Sequence, residues 1–235
     1  MRILVHDIGF LDTVGMTNRG LAPSGYYDEY YSSRDWRWYR GLLAFAIQHS
    51  EPGPILDVGA GVAQLLEAAH RWNLECLGLE GSAEAIAIAR GRCPSLNLKQ
   101  HFLSDPFPLG DCTFQTIYLN QVIEHLEPAV AEACVSECYR VLRPGGLFIV
   151  MSPSKFNKHE RDADPSHICL YSPSSLKSLL ASRGFTDISQ LDTPLDIMGK
   201  NAIGRLIMKV IFRVTKWERL SCSANCMAWK PGTSR

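Results

Sequence analysis

The chain has 235 residues, and 24 Lys plus Arg balance 24 Asp plus Glu to a formal net charge of zero. This length suits one domain with additions around a sizeable core. A neutral chain has no overall field that draws it to nucleic acid or to an anionic membrane. No apolar run is long enough for a transmembrane helix, and the first ten residues are too short an apolar run for a signal peptide. We therefore expect a soluble, cytoplasmic protein with no nucleic-acid partner.

The eight cysteines raise the question of disulfides or a metal site. The pairs Cys134/Cys138 and Cys222/Cys226 are spaced four apart, whereas thiol-rich zinc sites usually open with two intervening residues. Cys134 and Cys138 fall on the apolar side of a predicted helix, where small thiols pack well. We predict buried free thiols and no bound metal.

Residues 1–50 are predicted to form an N-terminal arm and a covering helix, ahead of a main domain over 51–235. The apolar pattern over 42–47 indicates the helix. It is preceded by an aromatic cluster consisting of Tyr26, Tyr27, Tyr30, Tyr31, Trp36, Trp38 and Tyr39. Two interpretations stay open. The helix packs on the core, or the tyrosines together with Arg37 or Arg40 cover a ligand and meet its carboxylate.

From residue 51 onward, predicted strands alternate with predicted helices. The strands are 55–58, 74–79, 97–103, 114–119 and 147–151, and the helices are 62–72, 82–91 and 128–142. This alternation predicts a parallel sheet with helices on both faces. Open sheets of this kind bind ligands at the carboxyl ends of their strands.

The first strand runs into the glycine turn Gly59-Ala60-Gly61 and then into a helix. Glycine lets backbone turn sharply and approach a ligand closely. The dinucleotide-binding fingerprint has a third glycine at the position of Gln64 in this chain. The looser pattern of S-adenosylmethionine-binding loops has its third glycine at the position of Ala63. The turn alone therefore fits a dinucleotide, S-adenosylmethionine or a plain tight connection.

Glu80 ends the second strand, nineteen residues beyond Gly61. At this spacing an acidic side chain accepts hydrogen bonds from ribose hydroxyls, although a solvent-facing glutamate is the alternative. Ser82 is expected to cap the following helix. Asn120 directly follows the fourth strand, and Glu124 and His125 come soon after it, where a reacting group would meet a substrate.

Together these residues resemble the class I S-adenosylmethionine-dependent methyltransferases, in particular those acting on small molecules and sugars. The resemblance covers about residues 26–195 and rests on Leu56-Asp57-Val58-Gly59-Ala60-Gly61, Glu80, Pro106-Phe107-Pro108, Val122-Ile123-Glu124-His125-Leu126, Arg140-Val141-Leu142-Arg143-Pro144-Gly145-Gly146 and Asp164-Pro165-Ser166-His167. It implies an α/β, Rossmann-like, seven-stranded and mostly parallel sheet with helices on both faces. A sixth strand near 187–192 and an antiparallel seventh near 224–230 would complete that sheet.

The resemblance also implies S-adenosyl-L-methionine as cofactor and a set of residues around it. The amino-acid end of the cofactor would contact Asp57, Gly59, Ala60 and Gly61, and its ribose would contact Glu80, Gly81 and Ser82. The adenine would contact Ser104 and Asp105, and the methionine portion would contact Asn120, Gln121 and Val122. Three positions depart from the family pattern, namely Ala63, His101 and Gln115.

The implied reaction moves a methyl group to an oxygen, or less readily a nitrogen, of a small-molecule acceptor such as a sugar. His125 and His167 compete for the role of general base, because an imidazole near neutral pKa suits proton removal. Each could instead be a hydrogen-bonded structural histidine. The loop 152–172 and a helix at 200–217 are predicted additions on the acceptor side.

Within that last helix, residues 203–216 carry an apolar stripe and a basic face. Such a helix can touch an anionic membrane or an acidic acceptor, or pack on the sheet with its charges in water. Three other functions compete with the leading one: an RNA or protein methyltransferase, a non-catalytic binding partner with this fold, and a nicotinamide oxidoreductase. Zero net charge argues against the first, and Gln64 against the last. The oligomeric state is left open.

Overall fold

The computed structural model describes residues 36–158, 164, 166–191, 210 and 217–232. Within these ranges five α-helices and seven strands occur. The helices are α1 (Trp36–His49), α2 (Gln64–Arg71), α3 (Ala83–Arg92), α4 (Pro128–Val141) and α5 (Pro173–Ser182). The strands are β1 (Ile55–Val58), β2 (Cys76–Glu80), β3 (Leu98–Gln100), β4 (Phe114–Asn120), β5 (Leu142–Met151), β6 (Thr186–Gln190) and β7 (Cys226–Trp229).

The described strands form one sheet in the order β3-β2-β1-β4-β5-β7-β6. The first five strands pair in parallel, and β7 lies antiparallel to both of its neighbours. The fold class predicted from the sequence, a Rossmann-like and mostly parallel sheet with an antiparallel seventh strand, is confirmed. The order reverses at β1, so β1 and β4 place their carboxyl ends on either side of a crevice.

The central strands are buried, and most of their residues are apolar. All four residues of β1 and six of the seven residues of β4 are buried. A strand covered on both faces reads as a continuous apolar run rather than an alternating one. The sequence prediction of parallel central strands thus had a direct physical basis.

Helices cover the sheet on both sides. One buried cluster joins α4 and α5 to the sheet through residues such as Val135, Cys138 and Leu176. The other joins α1 and α2 through residues such as Leu43 and Leu65. A smaller cluster links α2 and α3.

Strand β5 begins earlier than the sequence predicted. The prediction started it at Leu147, but Leu142 already pairs with Phe114, while Leu147 pairs with Thr116. The residues between them, which include Gly145 at φ +75°, bulge out of the ladder. The reason is that pairing depends on the neighbouring strand as well as on the local Pro-Gly-Gly signal.

All eight cysteines lie within the described ranges and are free thiols, as predicted. Cys134 and Cys138 are fully buried in α4. Among the described residues, no helix has the length and apolar character needed to cross a membrane. The predicted arm up to residue 35 and the basic helix 203–216, except Val210, lie outside the described residues.

Candidate functional site

The glycine turn closes the end of β1 against β2 and β4. The backbone N–H groups of Gly59 and Ala60 both donate to the carbonyl of Leu79 at 2.9 Å. Gly59 and Gly61 have φ of +73° and +53°, in the left-handed region that favours glycine. A Cβ at Gly59 would lie 2.5 Å from Cγ2 of Val122. The turn therefore brings the loops after β1 and β4 into direct contact, which only glycine permits.

Ala63 occupies the place where the related pattern has a third glycine. It precedes α2 with φ 59° and ψ 35°, a left-handed conformation, and it is fully buried. A non-glycine residue in this conformation costs roughly 1–2 kcal/mol. The preference for glycine at this position is thus a backbone requirement, and alanine meets it at a modest cost.

The carboxylate of Glu80 is held by backbone on both sides. Its Oε2 accepts from the N–H of Gly61 at 2.7 Å and its Oε1 from the N–H of Ser82 at 2.8 Å. Burial raises the pKa of Glu80 above its ordinary value, and hydrogen bonds from Ser82, Gly61 and Gly81 offset only part of that rise. A carboxylate has about four acceptor sites, so Glu80 can accept further hydrogen bonds from a ligand.

Ser82 also caps α3, as predicted. Its Oγ accepts from the backbone N–H of Ala85 at 3.2 Å. A serine cap of this kind is worth about 1 kcal/mol. The cap fixes the start of α3 directly after Glu80, so this carboxylate sits between two anchored backbone segments.

A second buried acid lies beside Glu80. Asp57 in β1 is 4% exposed. Its pKa is raised to about 7, first by burial and then by the negative charge of Glu80. Two neighbouring carboxyl groups in one crevice favour a positively charged ligand group, because a cation would stabilise the ionised forms.

The end of β4 supplies a polar acceptor. The side-chain Oδ1 of Asn120 is buried and has no hydrogen-bond partner among the described residues. The next residue, Gln121, has φ 56°, and its N–H donates to the carbonyl of Met151 at 2.7 Å. A buried acceptor without a partner costs free energy, so a donor from a ligand would stabilise the site.

The loop after β3 is tied to β2 by one strong backbone contact. The N–H of His101 donates to the carbonyl of Glu80 at 2.8 Å, and the His101 ring lies edge-on to Phe107 with ring centroids 5.6 Å apart. Ser104 and Asp105 follow on the exposed side of this loop. The structure thus places both residues on an exposed loop whose first residue, His101, is hydrogen-bonded to Glu80.

The two competing histidines lie together, with ring centroids 5.0 Å apart. His125 belongs to the short 3₁₀ turn Ile123–His125 after β4, and His167 to the loop before α5. The backbone N–H groups of Ile168 and Cys169 donate to the carbonyl of Glu124 at 2.8 and 3.0 Å, which fixes the loop on the turn. The sequence predicts the two histidines as alternative bases, and it contains no local signal for their contact.

Each of these rings faces a neighbouring oxygen. His125 Nδ1 lies 3.1 Å from the carbonyl oxygen of Ser166, and His167 Nε2 lies 3.7 Å from Oδ2 of Asp164. The pKa of His125 is lowered, chiefly by burial and further by His167, against the opposite effects of Ser166 and Asp164. The neutral imidazole is therefore favoured at His125 near neutral pH.

Comparison with known proteins identifies the family to which the chain belongs. The model of a family described as "Methyltransferase domain" matches residues 27–190. A probable S-adenosylmethionine-dependent methyltransferase of Mycolicibacterium smegmatis is 32% identical over 134 residues, which cover 56% of this chain and 51% of that protein. The chain thus spans about half the length of this curated relative.

Two further similarities cover more of the chain. A demethylmenaquinone methyltransferase of Tropheryma whipplei is 24% identical, over 72% of this chain and 70% of that protein. The crystal structure of a SAM-dependent methyltransferase from Archaeoglobus fulgidus superposes with a TM-score of 0.70 at 19% identity, over 87% of this chain and 100% of that chain. Since the matched family model spans well over half of the sequence, the chain belongs to the methyltransferase-domain family, with the class I fold and with S-adenosylmethionine as the cofactor of that family.

Proposed function

We propose that the protein transfers the methyl group of S-adenosylmethionine to an oxygen of a small molecule. The observation that carries this proposal is the position of the histidine pair, one member of which lies in the turn that follows β4. His125 follows Asn120 by five residues and packs on His167. This position supports an acceptor role for the histidines, because they come directly after the residues proposed to border the cofactor.

The residues of the crevice fit the amino-acid end of the cofactor. Asp57 offers a buried carboxyl group to its ammonium, and the unpartnered Oδ1 of Asn120 offers an acceptor. The turn at Gly59, Ala60 and Gly61 lets the backbone approach closely. We assign these residues to the amino-acid end, with Gln121 and Val122 alongside its methionine chain.

The remaining cofactor contacts follow from Glu80. Its remaining acceptor capacity suits the ribose hydroxyls, with Gly81 and Ser82 beside them. Ser104 and Asp105, on the exposed loop that follows β3, would border the adenine ring. This assignment extends the crevice from Asp57 to the rim of the sheet.

When bound, the cofactor supplies an electrophilic methyl group on a sulfonium. The protein has to hold the acceptor oxygen opposite that sulfur, and orientation of this kind can supply several kcal/mol. We assign activation of the acceptor oxygen to His125 and His167. A hydroxyl needs such help because it is a weak nucleophile while protonated, whereas a neutral amine needs only positioning. The histidine pair therefore favours an oxygen acceptor.

The acceptor is proposed to be a small molecule, such as a sugar. The similarity to a demethylmenaquinone methyltransferase supports the small-molecule class. The chain's zero net charge supports it too, because nucleic-acid partners usually need a basic surface. We retain the prediction that a basic helix over 203–216 contacts an acidic acceptor or a membrane surface.

Calorimetric titration with S-adenosylhomocysteine and with a nicotinamide dinucleotide tests the cofactor. We expect the first to bind and the second not to bind. Methyl transfer from labelled cofactor to a panel of hydroxylated small molecules then tests the reaction. Binding of the dinucleotide alone would contradict the proposal.

Two variants test the histidine pair. His125→Gln and His167→Gln should reduce turnover by about 100-fold or more and leave S-adenosylhomocysteine affinity nearly unchanged. His70→Gln, at an exposed position on α2, is the matched control and should keep full turnover. Full turnover in both test variants would remove the assigned role.

A further inference from the structure

Glu124, His125 and His167 form a compact set of potential metal ligands. Each residue offers one ligand atom, and these atoms lie within 4.8 Å of one another. Glu124 is fully buried, and the His167 side chain is 6% exposed. Two imidazoles and one carboxylate are a donor set that suits divalent transition metals such as zinc, manganese or iron. The sequence prediction of no metal rested on cysteine spacing and did not consider these residues.

In each imidazole ring, one nitrogen faces a neighbouring oxygen, which orients the ring. With Nδ1–H of His125 donating to the Ser166 carbonyl at 3.1 Å, its Nε2 carries a lone pair. Nε2 of His167 faces Oδ2 of Asp164 at 3.7 Å, which leaves Nδ1 of the same ring on its other side. Metal-binding histidines usually direct their second nitrogen to a carbonyl or carboxylate in this way.

The other ring nitrogen of His167, Nδ1, is a second and independent indication of a bound ligand. This atom is buried and has no hydrogen-bond partner among the described residues. A buried polar atom without a partner costs about 1–3 kcal/mol, which a bound cation would remove. Of the two tautomers, the one with a proton on Nε2 presents a lone pair at Nδ1.

The scaffold around these ligands is already held in place. Glu124 and His125 belong to one 3₁₀ turn, and the carbonyl of Glu124 anchors the loop that carries His167. Ligands about 2.1 Å from a tetrahedral ion lie about 3.4 Å apart, so binding would draw the three atoms together by at most about 1.4 Å. Small side-chain rotations suffice for such a contraction.

We propose that Glu124, His125 and His167 bind one divalent transition-metal ion at the acceptor end of the site. The inference rests on the proposed function and deepens it, because His125 and His167 then act as ligands and the ion activates the acceptor. Three protein ligands leave coordination positions open, as in catalytic metal sites. A hydroxyl oxygen of the acceptor takes an open position.

The resulting reaction balances without a further reagent. Coordination lowers the pKa of the hydroxyl, so its O–H bond breaks and the proton passes to solvent. The oxygen's electron pair forms the new bond to the methyl carbon. The sulfur–carbon bond breaks, and its electron pair stays on sulfur in S-adenosylhomocysteine.

Metal titration of the chelator-treated full chain tests the site. Co²⁺ is followed by its visible absorption, and Zn²⁺, Mn²⁺ and Mg²⁺ by calorimetry. We expect one ion per chain, with affinity reduced about 10-fold or more in both His125→Gln and His167→Gln. His70→Gln is the control and should bind the ion as the parent does. The melting temperature, measured on every variant beside the S-adenosylhomocysteine affinity, shows that each is folded.

The outcomes separate the two proposals. No ion bound to a protein that binds S-adenosylhomocysteine would overturn the metal site and leave the methyl-transfer proposal standing. Equal ion affinity in parent and histidine variants would overturn the site too, as would binding of Mg²⁺ in preference to Mn²⁺ and Co²⁺. Ion binding that depends on both histidines, in a protein that does not bind S-adenosylhomocysteine, would support the metal site and overturn the methyl-transfer proposal.

Discussion

The Oε2 atom of Glu80 accepts a hydrogen bond from the backbone N–H of Gly61, nineteen residues earlier in the chain, at 2.7 Å. This bond joins the ends of β1 and β2, where the glycine turn begins. It also uses one face of the carboxylate and leaves other acceptor sites for a ligand. The proposed ribose contact therefore depends on an arrangement that exists before any ligand binds.

Replacing this carboxylate should weaken cofactor binding more than folding. In Glu80→Gln, the amide NH₂ faces either the N–H of Gly61 or that of Ser82, so one of the two backbone bonds is lost. We expect the affinity for S-adenosylhomocysteine to fall about 10-fold or more, measured by calorimetry. Glu75→Gln, an exposed position just before β2, is the control. Equal affinity in Glu80→Gln and the parent would contradict the ribose assignment.

The contact between Gly59 and Val122 predicts that a methyl group cannot be added to the turn. In Gly59→Ala, the new Cβ would clash with Val122 at 2.5 Å and would hold φ +73°. We expect a stability loss of about 2 kcal/mol or more, seen as a lower melting temperature.

Gly41→Ala provides the matched comparison. Gly41 lies within α1, and a Cβ there would meet nothing within 4 Å. Removing a glycine from a helix interior should stabilise the protein by about 0.5–1 kcal/mol. A similar small gain in Gly59→Ala would show that the turn is looser than the structure indicates.

The raised pKa of Asp57 predicts a stability that falls as pH rises. Its folded-state pKa of about 7 lies above the ordinary value of 3.8, so folding favours the protonated form. The stabilisation is fully present below about pH 4 and is lost as the pH rises through 7. Glu80, Cys76 and Tyr118 are the titratable groups that interact with this carboxyl group.

Chemical unfolding of the parent and of Asp57→Asn measures this effect. Relative to the variant, the parent should lose up to about 3 kcal/mol between about pH 5 and pH 8. Asp111→Asn, an exposed position on the loop before β4, should keep a constant difference over that range. A flat difference for Asp57→Asn would mean that the carboxyl group is ionised throughout.

The hydroxyl of Tyr118 links the sheet to the first described helix. It donates to the carbonyl of Leu42 at 2.6 Å, and Tyr118 is fully buried in β4. Tyr118→Phe should cost about 1–2 kcal/mol in denaturant unfolding, because a buried hydrogen bond is lost. Tyr139→Phe should change stability by less than about 0.5 kcal/mol, since that hydroxyl makes no hydrogen bond among the described residues. Equal losses in the two variants would show that the bond to α1 contributes nothing.

Local sequence was sufficient to predict elements whose cause is local. The Ser82 cap was predicted because a serine precedes a helical pattern, and the structure confirms it. The buried strands were predicted because most residues of Ile55–Val58 and Phe114–Leu119 are apolar. The glycine turn was predicted from Gly59 and Gly61 themselves. The left-handed φ of Ala63, in contrast, is seen only in the structure.

Features that depend on distant parts of the chain could not be predicted. His125 and His167 meet because the carbonyl of Glu124 accepts from two N–H groups of another loop, and no local pattern encodes that bond. The early start of β5 at Leu142 likewise depends on its partner Phe114. The roles of all cofactor and acceptor residues stay predictions that the variants above can test.

Strand β7 lies between β5 and β6, although it follows both along the chain. Among the described residues, β6 joins the sheet only through β7. During synthesis, β6 can therefore join the sheet only after Cys226–Trp229 has emerged from the ribosome. The outer edge of β5 stays unpaired over that interval, and an unpaired edge can capture strands of other chains. A chaperone that shields this edge would thus raise the yield of folded protein most while translation is still under way.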